Sequence, residues 1–222
     1  MHSTTFVSSR AARVILAGVI LGCATVAADA QTVRNNGTGT NNGFFYSLFT
    51  SSGSSTLTFP STQFPGNYAL SWSGVGDVVG GKGWNPGSAR TVNYNVGFAQ
   101  GFNTISVYGW TTNPLVEYYI NEFGSLFTAN AQFKGSVSVD GHNYNTFLHQ
   151  QVNQPSIVGT ATFNQYLDSW GGASQGASHS VNTGAHFNHW RSLGMNMGTF
   201  NYMILATEAF NGASGSVNAT VW

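Results

Sequence analysis

The chain has 222 residues with equal numbers of basic and acidic side chains, and only 6% of its residues are charged, whereas 14% are aromatic and 28 are glycine. Nucleic acids and anionic membranes are bound through basic patches, so this balance argues against both as partners. Few charges beside many aromatic rings would suit an uncharged, hydroxyl-rich ligand, although a β-rich domain with a Ser, Thr and Asn surface explains the composition equally well.

The first thirty residues have the pattern of a secretory signal peptide. Arg10 and Arg13 precede an apolar run over residues 14–26, and the residues that end at Ala30 fit the small-x-small cleavage rule. The apolar run is shorter than the roughly 20 residues that a membrane-spanning helix needs. Cleavage after Ala30 would remove Cys23, the single cysteine. The mature protein is therefore expected to be secreted and free of disulfides.

The rest of the chain is predicted to form a short extension and one domain. Residues 31–43 are rich in Asn, Gly and Thr, which predicts a flexible N-terminal extension, and nothing in residues 44–222 divides them into two units. In this second part, runs of β-branched and aromatic residues alternate with turn signals such as Asp140-Gly141, which predicts antiparallel strands. The predicted strands are 44–50, 68–72, 77–80, 89–95, 103–110, 115–120, 131–139, 142–152, 157–166, 201–210 and 214–222.

One segment departs from the strand pattern. Residues 183–193 place Phe187 and Trp190 at helical spacing, with an N-cap at Asn182 or the residue after it and Gly194 as the stop. Many short strands with a single amphipathic helix predict an all-β fold, a two-sheet antiparallel sandwich or β-jelly roll with the helix packed on one sheet.

Two predicted strands each carry a glutamate among aromatic residues. Alternation along a strand places Glu117 on one face with Tyr119, and Glu208 on one face with Tyr202. Two carboxylates that face one groove can divide the work of glycoside hydrolysis, since one attacks the sugar carbon as an anion and the other donates a proton. Structural glutamates beside tyrosines are common, however, and the pair alone favours a structural role over a catalytic one.

Several longer motifs change that balance. Residues 107–119 resemble the nucleophile strand of glycoside hydrolase family 11, the small secreted endo-β-1,4-xylanases. Residues 206–210 are similar to the acid/base strand of that family, and residues 152–160 are similar to its thumb loop. The resemblance covers residues 44–222, and further motifs follow in family order at 81–84, 91–95, 163–166 and 188–190.

The resemblance implies a jelly roll of two twisted sheets shaped like a partly closed hand, with xylan in the cleft under the thumb. It also implies a retaining double displacement without a metal or cofactor, in which Glu117 is the nucleophile and Glu208 is the acid that later activates water. The implied substrate-binding residues are Tyr108, Trp110, Tyr119, Gln165 and Tyr202 in the cleft, with Pro155 and Ile157 at the thumb tip.

Asp77 matches the position of the residue beside the acid/base, which is Asn in many family members and Asp in acid-adapted ones. An Asp there would share a proton with Glu208, so the two groups would titrate as a coupled pair. This interpretation predicts an acidic pH optimum; the alternative is that Asp77 is an ordinary turn acid.

Several positions depart from the family pattern, among them residues 168–170 and Ala209, and some of the departures fall in the cleft. Gln151 stands where members usually carry an Arg that helps to keep the nucleophile ionised, and Phe49 replaces a stacking Trp. Leu167 replaces another Trp, and Phe210 replaces a Tyr. Gln151 and Phe49 are retained as candidate substrate-binding residues, and the departures predict an enzyme that is slow or adapted to a different decorated xylan.

The remaining histidines and acids are expected to be ordinary packing or surface residues. His186 and His189 lie three residues apart on the predicted helix, as metal ligands can, but no cysteine or carboxylate nearby in the sequence completes a site. Packing and capping roles are therefore expected for both. The residues expected at the surface are Glu122, Asp140, Asp168, His142 and His149.

The leading hypothesis is a secreted, monomeric, retaining endo-1,4-β-xylanase. One alternative is a catalytically weakened xylan-binding or recognition protein on the same scaffold, which the departures at Gln151, Phe49 and Leu167 favour. Another is an enzyme for a different β-1,4-glucan such as cellulose.

Overall fold

The computed structural model describes residues 31–60 and 63–222 together with Met1, and the predicted signal peptide falls on the segment outside these described residues. The described part forms thirteen strands and one helix, α1 (Thr183–Ser192). The strands are β1 (Thr32–Val33), β2 (Gly37–Asn41), β3 (Phe44–Thr50), β4 (Ser54–Thr58), β5 (Asn67–Trp84), β6 (Thr91–Gln100), β7 (Thr104–Thr112), β8 (Val116–Gly124), β9 (Gln132–Val139), β10 (His142–Ser156), β11 (Gly159–Ser169), β12 (Ser178–Asn182) and β13 (Thr199–Val221). No helix within these described ranges has the length and apolarity that a membrane crossing requires.

Two pairs of predicted strands are each one long strand in the structure. The predicted strands 68–72 and 77–80 join into β5, and 201–210 and 214–222 join into β13. The register between β5 and β13 shifts on both sides of Ala213, and Gly74 and Gly212 have positive φ values of 58° and 77°. Bulges and glycines of this kind bend a strand without ending its pairing, so the sequence pattern breaks where the strand does not.

Because β5 and β13 pass through both layers of the jelly roll, every strand belongs to one continuous hydrogen-bonded network. The second half of β5 and the first half of β13 lie in a layer with β2, β3, β7, β8, β9, β10 and β11, which we call the cleft layer. The other halves lie with β1, β4, β6 and β12 in the back layer. The pairing is antiparallel except between β8 and β11, which run parallel.

The main core fills the space between the two layers. Side chains from both layers and from α1 meet there, including the fully buried Tyr118, Tyr94 and Trp190. A second apolar cluster lies on the opposite face of the cleft layer. Tyr118 belongs to the main core and its neighbour Tyr119 to the second cluster, as strand alternation predicts. The cleft layer is therefore apolar on both faces, and the second cluster forms the floor of a groove.

The segment 31–43 differs from the flexible extension that its composition predicts. Gly37–Asn41 forms β2 and pairs with β3 along its whole length, and Thr32–Val33 pairs with β4. Asn36 fixes the start of this segment, since its side-chain amide donates to the Thr50 carbonyl at 2.9 Å and accepts from the Thr50 amide at 2.7 Å. A low-complexity segment becomes ordered here because an adjacent strand edge supplies its backbone partners.

The single helix matches its prediction to within one residue. The Asn182 side chain caps it by accepting a hydrogen bond from the Ala185 amide, and Gly194 follows its end with a φ of +74°. Phe187 and Trp190 are buried, and both pack against the Tyr118 ring at centroid distances of 5.4 and 6.1 Å. The helix thus supports the core side of β8, the strand that carries Glu117.

Candidate active site

A groove of about 320 Å³ crosses the open face of the cleft layer. It lies between the second apolar cluster and the β10–β11 hairpin, whose tip follows the register pair Ser156 and Gly159. The structure brings all twelve sequence-predicted site residues to this groove. They are Phe49, Asp77, Tyr108, Trp110, Glu117, Tyr119, Gln151, Pro155, Ile157, Gln165, Tyr202 and Glu208.

Strand register places Glu117 in a transverse row of polar and aromatic side chains. Glu117 lies opposite Trp110 on β7 and opposite Gln165 on β11. Gln165 in turn lies opposite His149 on β10. Because directly opposed residues on paired strands point to the same face, the row reaches from Trp110 to His149 across four strands.

Glu117 is buried and accepts three hydrogen bonds. Its Oε1 accepts from the Tyr108 hydroxyl at 2.7 Å and from the Tyr119 hydroxyl at 3.2 Å, and its Oε2 accepts from Gln165 Nε2 at 2.6 Å. The Trp110 indole donates to the Tyr108 hydroxyl at 2.7 Å, which leaves the phenolic proton of Tyr108 for Glu117. These donors hold the carboxylate in one orientation towards the groove.

The environment of Glu117 pulls its pKa in two directions. Burial raises the pKa above the ordinary glutamate value, and the negative charge of Asp77 adds to that rise. The hydrogen bonds from Gln165, Tyr108 and Tyr119 lower it. The three donors therefore favour the ionised form, which an attacking carboxylate needs, inside a site that disfavours charge.

Glu208 and Asp77 lie on neighbouring strands and face the same groove. Glu208 on β13 is opposite Val79, and Asp77 on β5 is opposite Phe210, so the two acids are diagonal neighbours. Burial raises the pKa of Glu208 well above the ordinary value, and the negative charges of Asp77 and Glu117 raise it further. A raised pKa favours the protonated form of the carboxyl, which can donate its proton.

Asp77 is itself an unusual carboxyl. Burial raises its pKa to about 6, and a hydrogen bond from the Val78 backbone opposes that rise. Its buried Oδ1 has no hydrogen-bond partner among the described residues. The structure thus places Asp77 beside the candidate proton donor rather than at a surface turn, and the alternative of an ordinary turn acid is not supported.

Of the departures from the family pattern, Gln151 and Phe49 line the groove, whereas Leu167 and Phe210 are not among its lining residues. The hydrogen bond of the Gln151 side chain goes to Gln165, since its Nε2 donates to Gln165 Oε1 at 3.2 Å. Leu167 is buried in the second apolar cluster, whereas Phe49 lines the groove. Sequence reasoning missed the role of Phe163, whose ring packs edge-on against the Trp110 ring at 4.8 Å and lines the groove. Its alternation with Gln165 along β11 is the signal that could have identified it.

Two acids that the sequence places at the surface, Glu122 and Asp168, are buried, and both histidines placed there, His142 and His149, are half-buried. Glu122 and Asp168 are buried in the core, and Asp168 accepts hydrogen bonds from Thr146 and Trp190 and contacts His186 Nδ1 at 2.6 Å. The half-buried His149 contacts Gln165 Oε1 through Nδ1 at 2.8 Å. The surface predictions fail because hydrogen bonds from buried partners can offset the desolvation cost of a polar residue, and those partners come from distant segments.

The buried position of Asp168 also explains the environment of the two helix histidines. His186 is fully buried against Asp168 and Tyr144, and His189 contacts the Thr146 hydroxyl through Nε2 at 3.0 Å. Packing roles for both are therefore confirmed.

Comparisons with known proteins agree with this geometry. The family model described as glycosyl hydrolases family 11 matches residues 41–220. An ethylene-inducing xylanase of Botryotinia fuckeliana is 49% identical over 83% of this chain, and an endo-1,4-β-xylanase of Rhizopus oryzae is 43% identical over 91%. The chain spans 65% of the Botryotinia protein and 96% of the Rhizopus protein.

A solved structure shows the same fold. It comes from a structural comparison of two major endo-1,4-β-xylanases of Trichoderma reesei, and it is 37% identical to this chain with a TM-score of 0.69. The match covers 86% of this chain and 99% of the solved one. The all-β jelly roll with one short helix is therefore confirmed.

Proposed function

The chain belongs to glycosyl hydrolase family 11, and we propose that it is an endo-1,4-β-xylanase that cleaves internal bonds of xylan with retention. The observation that carries the proposal is the pair Glu117 and Glu208 in one groove, in surroundings that make one an oriented acceptor of three hydrogen bonds and the other a tightly protonated acid. A retaining hydrolase needs this division between its two carboxyl groups.

In the first step, Glu117 attacks the anomeric carbon of the sugar at the cleavage point. The bond to the leaving oxygen breaks as Glu208 donates its proton to that oxygen, and a covalent glycosyl–Glu117 ester forms. Tyr108, Tyr119 and Gln165 keep the attacking carboxylate in position through the hydrogen bonds described above. Loss of the negative charge at Glu117 then makes Glu208 easier to ionise, because one of the charges that raises its pKa is gone.

In the second step, the ionised Glu208 takes a proton from water as the water oxygen attacks the same sugar carbon. The ester bond breaks, Glu117 leaves as a carboxylate, and Glu208 is again protonated. The two inversions at the carbon give net retention. Each group thus returns to its starting protonation state after one turnover.

The walls of the groove suit an uncharged polysaccharide. Tyr108, Trp110, Tyr119 and Tyr202 present aromatic surface in a single cluster, and Phe49 extends it along β3. Aromatic rings stack on the apolar faces of sugar rings, while the glutamine amides of the site can bond sugar hydroxyls. The names of the relatives support xylan as the polymer. Secretion through residues 1–30 and a monomeric state belong to the same proposal.

A second candidate function is xylan binding without efficient turnover. Gln151 supports it, since it places a neutral amide on Gln165 where family members carry a cation. An enzyme for another β-1,4-glucan such as cellulose is the third candidate.

Release of reducing sugar from soluble xylan and from carboxymethylcellulose distinguishes the three candidate functions, xylanase, xylan-binding protein and glucanase. The mature protein is compared with Glu117→Gln and Glu208→Gln, and we expect release from xylan that either substitution reduces by at least about 10²-fold. Release from carboxymethylcellulose instead would favour the glucanase. A folded protein that binds xylan and releases no sugar would favour the binding protein.

A further inference from the structure

His149 lies at the end of the transverse row and touches the residue that holds Glu117. It is half-buried on β10, directly opposite Gln165 on β11. Its Nδ1 lies 2.8 Å from Gln165 Oε1, and Gln165 Nε2 lies 2.6 Å from Glu117 Oε2. A single amide group therefore separates the histidine from the candidate nucleophile.

The ionised carboxylate of Glu117 can only accept, so it favours the orientation that places the amide nitrogen of Gln165 on its side, and the other contacts agree with that orientation. Gln151 Nε2 can only donate, and it lies 3.2 Å from the same Oε1 that faces His149. If the amide were turned over, the carbonyl oxygen of Gln165 would face the carboxylate of Glu117, and two amide nitrogens would face each other. With Gln165 Oε1 facing the histidine, His149 must donate through Nδ1–H, because Oε1 has no proton to give.

The other charged groups around this row do not provide an alternative partner for His149. From β8, Glu117 is the acid on the groove face, and the charged residue of β11, Asp168, is in the core with Thr146 and His186. The charged residue of β9 is Lys134, which falls at the register irregularity between Thr146 and Phe147. Asp77 and Glu208 lie further along the groove on β5 and β13.

We propose that His149 is a positioning residue for the nucleophile: it donates from Nδ1–H to Gln165 Oε1 and so keeps the Gln165 amide nitrogen on Glu117. The catalytic consequence rests on the proposed function above, but the effect on Glu117 itself does not. Gln151 is the second, longer support of the same amide oxygen.

Loss of the donor at position 149 should change the pKa and the orientation of the Glu117 carboxylate. The hydrogen bond from Gln165 is the largest of the contacts that lower the pKa of Glu117. Without His149, the amide can turn over and withdraw that donor for part of the time. The pKa of Glu117 then rises, and the carboxylate is both less ionised and less well oriented.

Three variants test this on the whole mature protein. His149→Val fits a strand and removes the donor, whereas His149→Asn places an amide Nδ2 at the position of Nδ1 and restores it. His142→Val is the matched control, since His142 is on the same strand but stacks on Trp170 at 3.7 Å. A carbon-13 NMR titration of the Glu117 carboxyl reads out its pKa without any substrate.

We expect the pKa of Glu117 to be higher in His149→Val and to return to the value of the unmutated protein in His149→Asn and His142→Val. An unchanged pKa in a folded His149→Val, or an Asn variant that behaves like the Val variant, would overturn the proposal. In xylan hydrolysis, His149→Val should lower kcat about fivefold and change KM less than about twofold, with the acidic limb of the kcat/KM profile moved to higher pH.

A measurement on the unmutated protein covers the case in which His149→Val does not fold. Nitrogen-15 chemical shifts of the imidazole identify which ring nitrogen carries the proton. A proton on Nδ1 is expected, and a neutral ring protonated only at Nε2 would contradict the proposal. If the NMR results hold while xylan is not cleaved, the proposed enzymatic function fails and the positioning of Glu117 stands.

Discussion

Glu117 and Glu122 lie five residues apart on β8 and each accepts hydrogen bonds from two tyrosine hydroxyls, yet they face opposite sides of the cleft layer. Glu117 accepts hydrogen bonds from the hydroxyls of Tyr108 and Tyr119. Glu122 accepts them from Tyr94 at 2.6 Å and Tyr144 at 2.7 Å. An odd separation along a strand reverses the face, so one carboxyl looks into the groove and the other into the core.

The two sites differ in the charges that surround them. Burial raises the pKa of both glutamates. Around Glu117 the neighbouring charge is that of Asp77, which adds to the rise, whereas around Glu122 it is that of His186 and His142, which oppose it. A buried glutamate with two tyrosine donors is therefore not a mark of catalysis by itself. The acids Asp77 and Glu208 in the groove of Glu117, in place of the histidines beside Glu122, distinguish the candidate active site from a structural network.

Replacing each glutamate with glutamine should give the largest difference between the proposed catalytic role of Glu117 and the structural role of Glu122. Glu117→Gln is expected to reduce kcat/KM on xylan by about 10⁴-fold, because a neutral amide cannot form the covalent intermediate. Glu122→Gln should keep kcat/KM within about twofold and reduce the free energy of unfolding by about 1–3 kcal/mol, because one tyrosine hydroxyl loses its acceptor. Urea unfolding with activity assays on the folded fraction measures both. A loss of activity in stable Glu122→Gln would break the distinction.

Replacing Asp77 tests the charges around the groove. The pKa of Asp77 is raised to about 6, so Asp77 is neutral below that pH and negative above it. The negative form raises the pKa of Glu208 further, so Glu208 stays protonated but transfers its proton to the leaving oxygen less readily. Activity should therefore be full below about pH 6 and fall as the pH rises through that value.

Asp77→Asn is neutral at every pH, and the descending limb should move up by about one pH unit. The kcat/KM profile between pH 3 and pH 9 checks this expectation. An optimum at neutral or alkaline pH in the unmutated protein, or a profile that Asp77→Asn leaves in place, would show that Asp77 does not control Glu208.

The smallest expected effect concerns the aromatic wall of the groove. Phe49→Trp enlarges the ring surface that Phe49 presents to the substrate, and stacking should improve by about 0.5 kcal/mol. KM for xylo-oligosaccharides should fall about twofold, with kcat unchanged, since the Phe49 side chain has no polar atom that could bond to either glutamate. A change confined to kcat would mean that Phe49 acts on the chemistry instead. Val79→Ile, at the position opposite Phe49 on β5, is a control for added bulk.

Much of the groove could be predicted because its information is local. The resemblance of the motifs along β7, β8 and β13 to family 11 marks Tyr108, Glu117 and Glu208, and strand alternation assigns their faces. Alternation holds for any strand whatever its partners are, so the assignment of faces needed no knowledge of the fold. The helix is equally local, since Asn182 caps it and Gly194 follows it.

The failures concern residues whose environment depends on distant segments. Glu122 and Asp168 are predicted to be surface acids. In the structure, hydrogen bonds from Tyr94 and Tyr144 to Glu122, and contacts of Asp168 with the helix, offset the cost of their burial. Residues 37–41 are predicted to belong to a flexible extension, but in the structure they pair with the edge of β3. His149 carried no sequence signal, because its value comes from standing opposite Gln165 on another strand.

The sequence by itself therefore determined the fold class, the faces of the strands that carry the two candidate glutamates and the helix that supports β8. Only the tertiary structure decided that β5 and β13 run through both layers, which buried carboxyls belong to the core, and which side chain holds Gln165 against Glu117. The physical reason is that alternation and capping act within a few residues, whereas register and desolvation join segments that are far apart in the chain.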